Sequence, residues 1–512
     1  MSVMAVLAGR HKCGRDADLA HVFTKAGYVK RLRVFTSIWC FPFGNPFGIQ
    51  HRHPYFAKVD LMPPKFGTSG LRGLVVELTP ALVADHVQAF IAACPVGTGI
   101  WVGRDLRPSS PKIAGMVMQA ATSAGIPVVD CGDVPTPALA LAAMNAGAAA
   151  VMITGSHIPA DRNGLKFYTP EGEITKDHET AILAALGSKT DVKPAPRGHD
   201  IAVPIAYAAR YVDAFGGDAL SGMTIGVYTH STVGRDLLMH ILERLGAQVI
   251  ELGRSDKFIP VDTEAVDPKT REQLIAWAAS HPVDAIVSLD GDGDRPLLTD
   301  ATGQVVPGDV LGQITGDFLG AEIAVTPVSS NTGAETIFDR VLRTKIGSPH
   351  VIAGMDCGGK VVGYEANGGF LLGFAANGLA PLMTRDAVLP LIAPLMVANG
   401  QGVAAMVKAQ PARFTATGRV EDVPTDVSLA FVALLDTDLD ARAAFLASID
   451  GTEAAVDRTD GLRMTLTDGR IVHLRPSGNA PECRFYAEAD SPDAAQAALT
   501  QGLTALTSEL RA

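Results

Sequence analysis

Val283-Asp284-Ala285-Ile286-Val287-Ser288-Leu289 runs directly into Asp290-Gly291-Asp292-Gly293-Asp294-Arg295. The first seven residues are mostly apolar and read as a buried strand. If that strand simply continued, carboxylates at i, i+2 and i+4 would share one side. The interleaved glycines favour a curled loop whose oxygens converge on one point. Three uncompensated carboxylates so close together repel, and a hard divalent cation with a preference for oxygen ligands relieves that repulsion. Magnesium is the favoured ion. A calcium hand does not fit the spacing, because its required glycine would fall at Arg295 and its closing glutamate at Ala301.

Working outward, strands and helices alternate on the amino-terminal side. Short strands are expected at 100–103, 126–129 and 148–153, with helices at 109–124 and 136–145. The first of these helices is opened by Ser109 or Ser110, with Pro111 in its first turn. A Pro- and charge-rich stretch at 189–200 reads as a linker. It is followed by strands at 224–228 and 283–289 and helices at 233–245 and 272–279. Beyond residue 307 come a strand at 323–328, a helix from 331 or 332 toward 340, and a strand at 361–364. Alternation of this kind predicts parallel sheets covered by helices, with functional loops at the carboxyl ends of the strands. The last unit differs. Segments 463–466, 470–474 and 483–488 read as antiparallel strands, and 491–508 as a closing helix begun by Ser491 and Pro492.

A second chemical motif follows the strand at 148–153: Thr154-Gly155-Ser156-His157-Ile158-Pro159. Serine is a weak nucleophile unless activated, and many such serines only cap helices. The context raises its interest. Asn163-Gly164 reads as a turn, and Lys166 brings a positive charge. A cation beside a hydroxyl suits phosphoryl transfer, in which catalysis is mostly positioning and charge stabilisation. Arg104, Asp105 and Arg107 form a charged loop after the strand at 100–103, which either braces the serine loop or only forms salt bridges.

Together these motifs resemble the alpha-D-phosphohexomutase family, in its bacterial phosphomannomutase/phosphoglucomutase branch. Residues 154–166 resemble its active-site serine loop and residues 290–295 its magnesium loop. Gly363-Tyr364-Glu365-Ala366-Asn367-Gly368-Gly369 sits where that family keeps its sugar-recognition loop. Arg475-Pro476-Ser477-Gly478-Asn479-Ala480-Pro481 resembles its C-terminal phosphate loop, and residues 66–73 its opening motif.

The resemblance implies three similar mixed α/β domains and a smaller C-terminal α+β domain around a central cleft. The expected divisions are an irregular extension at 1–60, a phosphoserine domain at 61–205, a metal-binding domain at 206–306, a sugar-recognition domain at 307–408 and a phosphate-binding domain at 409–512. It implies Ser156 as the phosphoryl carrier, whose phosphate oxygen joins Asp290, Asp292 and Asp294 on Mg2+. Arg72, Lys166 and, ranked below Lys166, His157 are its candidate catalytic partners, and Arg295 is suited to phosphate oxygens or to bracing the aspartates. Glu365 and Asn367 would meet the sugar. The family usually has serine where this chain has Asn367, which loosens the choice of hexose. Arg475, Ser477, Gly478 and Asn479 would hold the non-reacting phosphate. The implied reaction interconverts mannose 6-phosphate and mannose 1-phosphate, with hexose 1,6-bisphosphate as intermediate and activator. A phosphoglucomutase or dual-specificity enzyme, a magnesium-dependent phosphatase and a non-catalytic sugar-phosphate binder are the alternatives.

Composition bounds the partners. At 512 residues the chain is too long for one ordinary core. With 43 Lys and Arg against 54 Asp and Glu, its formal charge of -11 argues against nucleic acid, while a local basic pocket for a sugar phosphate stays open. The cysteines Cys13, Cys40, Cys94, Cys131, Cys357 and Cys483 lack metal-ligand spacing, which fits a reducing cytoplasm. Cys131 and Cys357 are read as core residues. No apolar run reaches the length of a membrane span; the closest, 387–398, reads as a buried helix. A monomer or weak homodimer is expected.

Overall fold

Three of the motif loops occupy equivalent places in three sheets. The computed structural model describes residues 64–67, 70–189, 193–477 and 481–511. The extension at 1–60 and the motif residues Gly478 and Asn479 lie outside the described residues.

In the first sheet, Ala149–Ile153, Ile100–Arg104, Val128–Asp133 and Arg197–His199 lie parallel in that order. On the other side of Ala149–Ile153, the strand Arg162–Thr169 runs antiparallel, and Leu71–Leu74 pairs antiparallel with it in turn. The second sheet has parallel strands Gln248–Leu252, Thr224–Tyr228 and Ala285–Leu289, closed by the antiparallel Pro296–Leu298. The third has parallel Arg340–Thr344, Ile323–Pro327 and Val361–Tyr364, then antiparallel Phe370–Leu372 and Leu382–Asp386. In each sheet the last parallel strand turns back through a hairpin, and that hairpin is the motif: 154–161, 290–295 and 365–369. The loops do lie at carboxyl ends of parallel strands, but they lead into antiparallel strands rather than helices, so the sheets are mixed. The fourth sheet, Phe414–Glu421, Glu482–Ala489, Ile471–Pro476, Leu462–Leu466 and Glu453–Asp457, is antiparallel throughout.

Several local expectations change. Asn163-Gly164 is not a turn but lies within Arg162–Thr169. A Cβ on Gly164 would stand 2.2 Å from the Leu71 carbonyl oxygen, so the glycine permits close strand approach. The helix expected from 331 to 340 is a single 3-10 turn, Thr332–Thr336, begun by the Asn331 side chain, and Arg340 already opens a strand. The stretch 189–200 contains the edge strand Arg197–His199. Cys131 is buried, whereas Cys357 is only partly so. The closing helix, Pro492–Leu510, is capped by the Ser491 hydroxyl as its sequence suggests. Among the described residues no helix is long and apolar enough to cross a membrane.

The three α/β units share one apolar core, in which Leu139, Tyr207, Val227, Leu298, Tyr364 and Leu391 are all members. The fourth has its own, around Leu462, Val472, Phe485 and Leu499. One polar group pins the shared core. Asp386, at the end of the third unit's edge strand, accepts from the hydroxyls of Tyr207 (2.7 Å) and Tyr211 (2.6 Å) on the helix Val203–Phe215. Asp386→Ala leaves two buried donors without an acceptor and is expected to cost about 2–4 kcal/mol. A lower urea midpoint with an unchanged slope is the expected readout; a wild-type midpoint would contradict it.

Candidate functional site

The serine loop is held from beneath. Ser156 is fully buried and has φ of 55°, a left-handed conformation that non-glycine residues rarely adopt. Such strain persists only where surrounding contacts over-determine it. Arg107 supplies them. Its guanidinium donates to the carbonyls of Ser156 (2.8 Å), Ile158 (2.5 Å), Pro159 (2.7 Å) and Arg162 (3.0 Å). Its Nε pairs with Asp105 at 3.1 Å, and its other face lies 4.0 Å from the Phe258 ring centroid. Asp105 also accepts from Ser110 and from Thr154, whose own hydroxyl accepts from the Ser156 amide. A Cβ at Gly155 would stand 2.7 Å from Arg107 Cζ, which explains the glycine before the serine. Arg104 plays no part here; it pairs with Asp130 and Asp133.

The aspartate loop closes against the serine. Ser156 Oγ donates to Asp290 Oδ2 at 2.7 Å. A Cβ on Gly291 would stand 2.6 Å from the Ser156 carbonyl oxygen, and Gly293 has φ of 73°, so both interleaved glycines are sterically required. One oxygen each from Asp290, Asp292 and Asp294 lie within 4.8 Å of one another, and all three residues are fully buried. Lys166 Nζ reaches Asp292 Oδ2 (2.5 Å) and Asp294 Oδ2 (2.6 Å). Thr136 donates to the same Asp292 oxygen at 2.7 Å, and Arg385 Nη2 lies 2.8 Å from the same Asp294 oxygen. The opposite oxygens, Asp292 Oδ1 and Asp294 Oδ1, are buried without a hydrogen-bond partner. Orphaned oxygens on clustered carboxylates are the donor set a hard divalent cation takes, so the residues fit such an ion.

Charge is unevenly shared. Burial, then the charges of Asp292 and Asp294, push the Asp290 carboxyl well above the usual range. Burial also pushes on Asp292, but the Lys166 charge and its hydrogen bond prevail and hold it low. His157 Nδ1 lies 3.3 Å from Ser156 Oγ and 3.0 Å from Arg295 Nη1. Burial and the Arg295 charge lower its imidazole to about 3, so it is a neutral acceptor for Arg295. Burial and Arg295 likewise lower Arg72 to about 10, while the Asp292 charge pulls it back up. Arg72 stands on Leu71–Leu74, opposite Gly164.

The third loop brings Glu365, 4% exposed, to within 3.6 Å of Arg385 through its Oε1, which has no hydrogen bond. The Asn367 side chain turns inward and accepts from the Gly369 amide at 3.0 Å. Arg475, on the fourth sheet, pairs with Asp460 at 2.8 Å, and the same Asp460 oxygen accepts from the Ile346 amide of the third unit. Ser477 is buried, and its amide donates to the Glu482 carbonyl. Burial lowers the His350 imidazole, and the charges of Lys176, Lys345 and Arg475 lower it further, so cations from three units gather there.

Thr136, Arg385 and Lys345 were not singled out in the sequence. Lys345 follows a parallel strand directly, a position that marks functional loops. Arg385 and Asp386 are charges inside a buried, largely apolar stretch, a weaker signal.

Family models match the chain in four consecutive pieces. The phosphoglucomutase/phosphomannomutase alpha/beta/alpha domains I, II and III match residues 63–193, 209–303 and 308–414, and the C-terminal domain of the same family matches 433–502. A phosphomannomutase from Sinorhizobium fredii is 47% identical over 477 residues, covering 88% of this chain and 100% of that protein. A phosphomannomutase from Salmonella muenchen is 42% identical over 444 residues, covering 84% and 92%. The crystal structure of a phosphoglucomutase/phosphomannomutase family protein from Burkholderia thailandensis superposes with a TM-score of 0.71 at 21% identity, covering 86% of this chain and 97% of that one.

Proposed function

The chain belongs to the phosphoglucomutase/phosphomannomutase family, and on that premise we propose that it interconverts mannose 6-phosphate and mannose 1-phosphate through a phosphorylated Ser156. The observation that carries this reading is the Ser156 hydroxyl, 2.7 Å from Asp290 beside two orphaned aspartate oxygens. Phosphoserine 156 gives its phosphoryl group to the free hydroxyl of the hexose phosphate. The bond from phosphorus to Ser156 Oγ breaks as the bond to the sugar oxygen forms, the proton of the sugar hydroxyl passes to Ser156 Oγ, and hexose 1,6-bisphosphate is left with unmodified serine. The bisphosphate turns over in the site, and its other phosphate returns to Ser156. The likeness to two phosphomannomutases, at 47% and 42% identity, supports mannose over glucose.

Within this reading Lys166 and Arg72 stabilise charge on the moving phosphoryl group, and Arg295 fixes His157 beside it. Glu365, as a carboxylate, accepts from neighbouring sugar hydroxyls, with Asn367 shaping the turn that presents it. Arg475, Ser477, Gly478 and Asn479 hold the remote phosphate, joined by Lys345. Magnesium, held by Asp290, Asp292 and Asp294, supplies positive charge to the phosphoryl oxygens when bound. Burial of Ser156 keeps water from intercepting the phosphoryl group.

The test is kcat/KM on mannose 1-phosphate against glucose 1-phosphate, each with its bisphosphate. The two differ only in the orientation of the 2-hydroxyl, so one hydrogen bond worth about 1–2 kcal/mol predicts a preference for mannose on the order of tenfold. A glucose preference would contradict the mannose reading and leave the mutase reading in place. Arg107→Ala releases four carbonyls of the serine loop and is expected to lower turnover by about 10–100-fold. Wild-type turnover in that variant would contradict the bracing role.

A further inference from the structure

Arg385 stands where three units meet. It leaves the edge strand Leu382–Asp386 and is 3% exposed. Its Nη2 lies 2.8 Å from Asp294 Oδ2 of the second unit, its Nη1 3.6 Å from Glu365 Oε1 of the third, and its Nε 3.6 Å from Glu173 Oε1 of the first. The fold makes room for it at the glutamate loop. A Cβ on Gly369 would stand 2.8 Å from Arg385 Cδ and 3.1 Å from Cγ, so the arginine stem lies along the loop's own backbone. A guanidinium is planar with donors in fixed directions, so anchoring one edge aims the others. Glu365 Oε1 is buried and makes no hydrogen bond, so it keeps acceptor capacity beside the guanidinium. A carboxylate so placed needs both a compensating charge and a fixed direction.

We propose that Arg385 is a positioning residue that aims Glu365 at the hexose and ties it to the aspartate loop, so that the sugar ring is registered against the reacting phosphoryl group. This rests on the reading of Glu365 as the hexose acceptor. Lysine in this place keeps the charge but is a point cation, and it does not face three carboxylates from three directions at once.

The test is a double-mutant cycle on kcat/KM with mannose 1-phosphate, using Arg385→Lys, Glu365→Gln and the pair. Each single variant is expected to lose about tenfold or more, mostly through a raised KM for Arg385→Lys, and the pair to lose no more than Glu365→Gln alone. Intact mass is expected to find Ser156 still phosphorylated in Arg385→Lys, because the aspartate loop keeps a cation. Multiplicative losses would overturn the proposal, since Arg385 would then act independently of Glu365. So would loss of the Ser156 phosphate, which would place the defect at the aspartate loop. Wild-type kcat/KM in Glu365→Gln would overturn the hexose-acceptor reading first, and the proposal with it. Glu173→Gln is a second handle, removing one of the three charges that aim the guanidinium. It is expected to raise KM with little change in kcat, and an unchanged KM in both Glu173→Gln and Arg385→Lys would also overturn the proposal.

Discussion

Ser156→Ala is expected to lower steady turnover by at least on the order of a thousandfold, because the variant loses the atom that we propose accepts and returns the phosphoryl group. The surrounding scaffold stays in place. Arg107 holds the loop through the Ser156 carbonyl rather than its hydroxyl, and alanine changes neither that carbonyl nor the amide that donates to Thr154. The left-handed backbone at position 156 is kept by the same contacts. The loss should therefore fall on turnover, with the unfolding midpoint close to that of the wild type. Near-normal turnover in the variant would remove Ser156 from the chemistry.

Chelation of divalent cations is expected to abolish turnover, by on the order of a thousandfold or more, with magnesium restoring it. Asp290, Asp292 and Asp294 bring three carboxylates within 4.8 Å at zero exposure. Lys166 engages Oδ2 of Asp292 and of Asp294, Arg385 engages Oδ2 of Asp294, and Oδ1 of both aspartates is left without a hydrogen bond. Those internal cations give the stripped protein enough charge compensation to stay folded, so its circular dichroism should match that of the loaded protein. Full turnover after exhaustive chelation, or zinc as the bound ion, would contradict the oxygen-ligand reading.

Much of the site was legible because its signals are local. A buried strand ending in a Gly-interleaved aspartate run, and another ending in Gly-Ser-His, each declare a loop at a sheet's edge within a dozen residues. What the sequence hid was created by long-range contact. Asn163-Gly164 has turn composition, yet Gly164 is there because Leu71 approaches from a strand nearly a hundred positions away. Arg104, Asp105 and Arg107 look alike as a charged loop. Only the fold separates Arg107, buried under the serine loop, from Arg104, paired with Asp130 and Asp133 at the carboxyl end of a central strand. Arg385 gave only a charge in an apolar stretch, because its three partners lie in three different units. Strand alternation by itself reads these sheets as parallel for a related reason. A short apolar run has no direction of its own, and pairing fixes it as parallel or antiparallel only once the fold has formed.

The central claim is that Ser156 carries the phosphoryl group. Its most direct test is to dephosphorylate the protein, incubate it with hexose 1,6-bisphosphate and magnesium, and locate any phosphate gained by intact mass and peptide mapping. One phosphate on the peptide that contains Ser156, released as hexose bisphosphate when mannose 6-phosphate is added, is the predicted result. A protein that gains no phosphate, or gains it on another residue while turnover proceeds, would contradict the account.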